Sequence, residues 1–385
     1  MGIDYKLIDA DQHVNPPTDF WQEYLPSALR AEAPRLESSV EGDFMVFEGK
    51  RKPFSMMASQ AGKKGEEYQV KGRRAEARPG GWDPAARLED MAIDGIDAAV
   101  IYGGGPLATK NTELHMASFD AYNRWLADFC KGNSQRLVGI GYVPMLDVES
   151  SMERLKAIRN MGLAGVLIPP FPQSLATTAV GPGAELGMGQ VFTVTGDQFG
   201  ARAYSDAEFD PFWKLAVDLG MPVHMHLGAR QSRVTEPNKV LADFTMAKLA
   251  MAEPIAQMIF GGVFMRHPEL KYVTVESAVG WFAFAAYYMD KIWHKHRHWT
   301  KNALVEPPSH YMARQVYGTF LDDVVGVATR DFAGAGNIMW SSDYPHSETT
   351  WPDSREVIEK NFAGVPEADR YKMVCGLAKE LYRLS

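Results

Sequence analysis

The feature that most constrains the fold is an alternation running almost end to end. Short apolar runs of strand character occur at 6–13, 97–102, 137–143, 164–168, 222–227, 271–276, 316–320 and 337–342. Between and after them lie stretches with near-helical apolar spacing, at 83–94, 112–131, 148–161, 210–219, 239–264, 279–293 and 351–362. A strand repeatedly followed by a helix specifies a parallel sheet, because parallel neighbours need a long crossover between them. Eight such strands with few spare elements favour closure into a TIM-like (β/α)8 barrel of the α/β class over an open doubly wound sheet. Asp83-Pro84 marks one helix start, Gly132, Gly162 and Gly220 follow helix ends, and a closing helix at 367–382 is expected on the outside.

A chain of 385 residues fits one barrel domain, 1–385, provided it carries insertions. Two stretches break the rhythm. Residues 14–80 follow the first strand and are rich in charge and glycine; residues 170–206 follow the fourth and are rich in Pro, Gly and Thr. Both leave the end of the barrel where such enzymes keep their active sites, which favours lids or subunit contacts over linkers.

Composition narrows the function classes. With 46% hydrophobic and 23% charged residues the chain has material for a large core. A net charge of −8 argues against nucleic acid as the main partner, which needs clustered positive charge. Cys130 and Cys375 are the only cysteines, too few for a disulfide framework or a thiolate zinc site, so a reducing cytoplasm is expected. No signal-like start and no apolar run of about 20 residues is present, so no membrane span is expected.

Polar residues at the C-terminal ends of apolar strands are the chemical signal, since burying them without a role is costly. The first strand, KLIDADQHV, ends with Asp11 and His13 on one face, as two metal ligands or as a hydrogen-bonded pair. The fifth, MPVHMHLG, places His226 nearer the loops and His224 about 6 to 7 Å deeper, the better place for an interior or supporting histidine. The sixth, KYVTVESAVGW, delivers Glu276. The eighth, NIMWSSDYPH, delivers Asp343 and, on the following loop, His346.

The stretches IDADQHV, PVHMHLG, HPELKYVTVESAVGWF and IMWSSDYPHSETTWP together resemble the amidohydrolase-2 family, which includes aminocarboxymuconate-semialdehyde and resorcylate-type decarboxylases. The resemblance covers nearly the whole chain and implies Asp11, His13, His226 and Asp343 as metal ligands. In one respect the chain departs from the pattern: Glu276 stands where many members carry a proton-transferring histidine.

Asp11, Glu276, Asp343, His13, His226 and His346 exceed what one open catalytic ion normally takes from protein, which suggests two ions. Oxygen-rich, thiol-free donors suit iron or manganese at least as well as zinc. The VES…GW and DYPH variants resemble a branch of dinuclear iron or iron/manganese monooxygenases that use O2 on small molecules such as 2-aminoisobutyrate. The resulting expectation is an O2-dependent hydroxylase, with Asp11, His13 and His226 around one ion and Glu276, Asp343 and His346, the candidate catalytic groups, completing or bridging to the second. The alternatives are a mononuclear zinc or manganese hydrolase of an amide, ester or lactone, a non-oxidative decarboxylase, and a metal-containing supporting subunit.

Weaker signals complete the reading. Arg230 is a candidate clamp for a substrate carboxylate, with a surface ion pair as the simpler account, and His224 is a candidate substrate contact. Trp281, Trp351, Asn15, Tyr102 and His115 are candidate cavity walls. The run His294-Lys295-His296-Arg297-His298 reads as the cationic end of a helix. Met-rich and aromatic segments point to a homo-oligomer or a complex with a related subunit.

Overall fold

The computed structural model describes residues 3–103, 105–172, 202–226 and 237–385. The chain divides into two compact units. One comprises Met1–Tyr142, Met161–Ala164 and Trp340–Ser385; the other comprises Val143–Asn160 and Gly165–Met339.

In the first unit, β1 (Ile8–Val14) is buried along its whole length, Asp9, Asp11, Gln12 and His13 included. The insertion after it, expected as a lid or subunit contact, carries a three-stranded antiparallel sheet of β2 (Arg35–Ser39), β3 (Gly42–Phe47) and β4 (Lys50–Pro53). This sheet escapes the sequence reading because β2 and β4 are short and mostly polar, which leaves the apolar residues 44–47 of β3 as a lone run inside a charged stretch. β5 (Ala98–Gly103) pairs with β1 in parallel, with a register irregularity between Asp9 and Gln12, and β6 (Leu137–Tyr142) pairs with β5. The helix Pro84–Asp94 starts at Asp83, whose carboxylate accepts from the amides of Ala85 and Ala86, and ends at the left-handed Gly95.

The second unit contains β7 (Gly165–Leu167), β8 (Val223–His226), β9 (Tyr272–Val275) and β10 (Val316–Phe320), with parallel pairing of β7 to β8, β8 to β9 and β9 to β10. The helix expected at 239–264 is three helices, Pro237–Leu249, Ala252–Phe260 and Val263–Arg266. Pro254 has no amide hydrogen to extend the preceding helix, and Gly262 at φ 77° ends the next one. Helices Pro308–Gln315 and Val324–Ala328 are additional to those the spacing indicates.

After β11 (Ile338–Trp340) the chain is back in the first unit, beside β1. There Asp343 N donates to Asp11 O (3.0 Å), and His13 N donates to Tyr344 O (2.6 Å). The eight strands other than β2 to β4 follow one another in the sheet in chain order, the connectivity of a (β/α)8 barrel. The closing segment is helical as expected, with a π-helical turn, Lys372–Gly376, between Glu367–Tyr371 and Leu377–Leu381. No helix among the described residues is long and apolar enough to cross a membrane.

Candidate metal centre

The first unit gathers four of the six expected donors. His13 Nε2 lies 3.1 Å from Asp11 Oδ1 and 3.2 Å from Asp343 Oδ1, and His346 Nδ1 lies 2.9 Å from the same Asp343 oxygen. The two imidazole rings stack with centroids 3.8 Å apart. Asp11 and Asp343 are fully buried. A single Nε2 carries at most one hydrogen, so it cannot satisfy two carboxylates at once. Donor atoms about 3 Å apart are instead what an ion at roughly 2.1 Å from each ligand requires, because neighbouring octahedral positions are then separated by about 3.0 Å. The composition and spacing of this set therefore fit a divalent ion.

Electrostatics agree with the geometry. Burial opposes ionisation of Asp343, but the adjoining His346 and His13 outweigh it and hold the carboxyl well below the usual carboxylate range. Asp343 sits at φ 57°, a left-handed conformation that a β-carbon makes unfavourable, three residues past the end of β11.

The second unit contributes a smaller set. His226, the last residue of β8, has its Nε2 3.3 Å from Glu276 Oε2, and Lys248 Nζ lies 3.5 Å from Glu276 Oε1. Glu276 follows the end of β9, also in left-handed backbone at φ 55°, and its amide donates to Thr319 Oγ1 at 2.8 Å. His224 is fully buried one layer deeper, with Nδ1 3.2 Å from Val166 O, and burial pushes its pKa down to about 3. These facts make it a neutral interior imidazole.

Arg230 lies outside the described residues, as does most of the 170–206 insertion. Tyr102 pairs in register with His13, its ring centroid 6.1 Å from the imidazole. Asn15 bonds to Ser59 and the Ala58 carbonyl in the insertion, and His115 Nδ1 meets Leu107 O at 2.7 Å. Trp351 packs on Tyr344, with centroids 5.7 Å apart, and donates to Asp90 O; Trp281 donates to Ser277 O. Residues 294–298 lie in the last turns of the helix Phe282–Thr300, as their charge suggests. Gln60 N and Ala61 N both donate to Pro345 O (2.8 and 3.1 Å), so the insertion is strapped to the loop that carries His346.

Sequence reasoning missed Asp9, Gln12, Arg87 and Lys248. Asp9 accepts from the amides of Asp11 (3.1 Å) and Ser342 (2.9 Å) and from Gln12 Nε2 (2.8 Å), which joins the two strand ends that carry Asp11 and Asp343. Burial pushes its carboxyl up to about 7 despite these bonds. The available signal was a second acidic residue, Asp9, two positions before Asp11 in the same buried strand.

Comparison with known proteins places the fold. A solved amidohydrolase from Mycobacterium avium subsp. paratuberculosis K-10 aligns over 99% of this chain and 100% of its own at TM-score 0.75 and 21% identity. The 5-carboxyvanillate decarboxylase of Novosphingobium aromaticivorans DSM 12444, solved as a mutant with bound manganese and 3-methoxy-4-hydroxy-5-nitrobenzoic acid, aligns over 99% and 98% at TM-score 0.67 and 16% identity. A curated relative, the 2-amino-3-carboxymuconate-6-semialdehyde decarboxylase of Dictyostelium discoideum, is 25% identical over 195 residues, 49% of this chain and 46% of that protein. The chain thus matches a little under half of that relative's length. Both of these named enzymes are decarboxylases, and the oxygenase expectation takes no support from them. The amidohydrolase family description matches residues 8–384, and with it the chain belongs to the amidohydrolase-2 family.

Proposed function

We propose that this chain is a metal-dependent, non-oxidative decarboxylase of a small carboxylic acid. The observation that carries the reading is the buried set Asp11, His13, Asp343 and His346, in which one imidazole nitrogen faces two carboxylates. Relatives that are decarboxylases, one of them with bound manganese, support the reaction class. His226 and Glu276 in the second unit are also residues of ligand type, 3.3 Å apart.

A divalent ion supplies Lewis-acid stabilisation of negative charge developing on the substrate. Glu276 delivers the proton: as the bond between the substrate carbon and its carboxylate breaks and CO2 leaves, the electron pair left on carbon takes the proton held on the Glu276 carboxyl. Lys248, against the other oxygen of Glu276, fixes the direction of that carboxyl.

A second reading, O2-dependent hydroxylation at a two-ion centre, is favoured by one observation. Glu276 is a carboxylate where the family pattern expects an imidazole, and it raises the number of oxygen-donor side chains to three. The test is metal analysis of protein purified without chelator, followed by incubation of manganese-loaded enzyme with hydroxybenzoates and unsaturated dicarboxylic acids, with and without air. CO2 release that is indifferent to air is the expected result. Consumption of O2 with a hydroxylated product selects the second reading, and ester or amide cleavage without CO2 release rejects both.

A further inference from the structure

Arg87 is fully buried in the helix Pro84–Asp94, and no carboxylate among the described residues touches its guanidinium. Its Nε donates to Gly80 O at 2.7 Å, its Nη1 donates to Gln12 Oε1 at 2.9 Å, and its Nη2 donates to His13 O. Its charge also lies over the Tyr344 ring, 4.6 Å from the centroid. Gln12 passes the interaction on, because its Nε2 donates to Asp9, which accepts from the amides of Asp11 and Ser342. The surroundings are built for this packing: a β-carbon on Gly80 would come within 2.5 Å of the Tyr344 hydroxyl and 2.6 Å of Asp90 Oδ2.

Apart from the bond to Gly80, these contacts fall on a residue next to a candidate ligand, or on the backbone of one. Gln12 stands between Asp11 and His13, the His13 carbonyl is gripped directly, and Ser342 and Tyr344 flank Asp343. An isolated buried guanidinium is costly, and apolar replacement of buried charges is often neutral or stabilising, so packing alone is a poor reason for an arginine here. Planar, multiple donation is what an arginine offers and an apolar side chain does not.

We propose that Arg87 is a positioning residue for the metal centre, acting through Gln12, the His13 carbonyl and Tyr344 to set the spacing of Asp11, His13, Asp343 and His346. The inference rests on the reading of those four side chains as metal ligands. Groups that orient ligands from outside the donor set typically govern affinity by about 10- to 100-fold.

The test uses the full chain and Mn2+ alone, with affinity measured by chelator competition, the electron paramagnetic resonance spectrum of the bound ion, and the melting temperature of the metal-free protein. Arg87→Met is expected to fold, to raise the Mn2+ dissociation constant by about 10- to 100-fold and to change the spectrum. Arg87→Lys should fall between parent and Met. Gln12→Met, close in size, should shift affinity in the same direction by less, and it decides the matter if Arg87→Met does not fold. A folded variant of either kind that keeps the parent's spectrum and dissociation constant overturns the positioning role while leaving the metal reading intact. A parent chain that binds no Mn2+ overturns the metal reading, and this inference with it.

Discussion

The donors of the first unit and those of the second differ in how firmly they are held. Asp11 and Asp343 are fully buried, His13 is 3% exposed, and the strand ends behind them are tied together by Asp9 and Arg87. The second unit offers His226 and Glu276, whose side chains are 16% and 10% exposed, with the half-buried Lys248 as a partner. A rigid, dry set suits retention of an ion, because its cost of organisation is met on folding. A partly wet carboxylate beside an ammonium suits proton exchange, which needs a route to solvent.

That contrast is broken or sharpened by four experiments. The largest effect is expected from Asp343→Ala, which should lower Mn2+ affinity by more than the roughly 100-fold typical of outer partners and reduce turnover to background. A variant that still binds Mn2+ tightly would erase the division of labour. Glu276→Gln should leave the bound-metal content close to the parent's but cut kcat by about 10²- to 10⁴-fold; loss of metal in parallel with activity would make Glu276 a holding residue instead. Lys248→Met should lower kcat by about tenfold, as expected for one charge-assisted contact. An effect confined to KM would place the ammonium on substrate.

The smallest effect is a control away from the centre. Asp210 meets His267 at 2.9 Å and Arg266 at 3.0 Å, and although burial opposes it, these partners hold its carboxyl below the usual range. A depressed folded pKa means that the stabilisation is present above the unfolded value near 3.9 and fades as pH falls through the folded one. Asp210→Asn should therefore cost less than about 1 kcal/mol at pH 7, with the difference closing in acid and no change in Mn2+ binding. Urea titrations at several pH values measure it.

All eight barrel strands were legible because each is a short apolar run bounded by helical spacing, and six donor residues of three types stood out because they end or closely follow those runs. What the sequence did not disclose depends on contacts across long chain separations. Arg87 reads as one more polar position of an amphipathic helix, and only the fold brings it to Gln12, 75 residues away. Lys248 lies on a helix whose apolar pattern hides the break near Pro254, and its approach to Glu276 has no local signature. The reaction class was legible only as a set of alternatives, since the same donor types serve hydrolysis, decarboxylation and oxygenation.

The left-handed backbone at Asp343 and Glu276 has an implication for protein engineering. At both positions glycine would relax the main chain, by roughly 1 kcal/mol or more, while deleting the carboxylate. A search for thermostable variants that ignores activity will therefore drift toward glycine at these two sites, and on the proposed function a homologue that already carries it there lacks both carboxylates of the reaction.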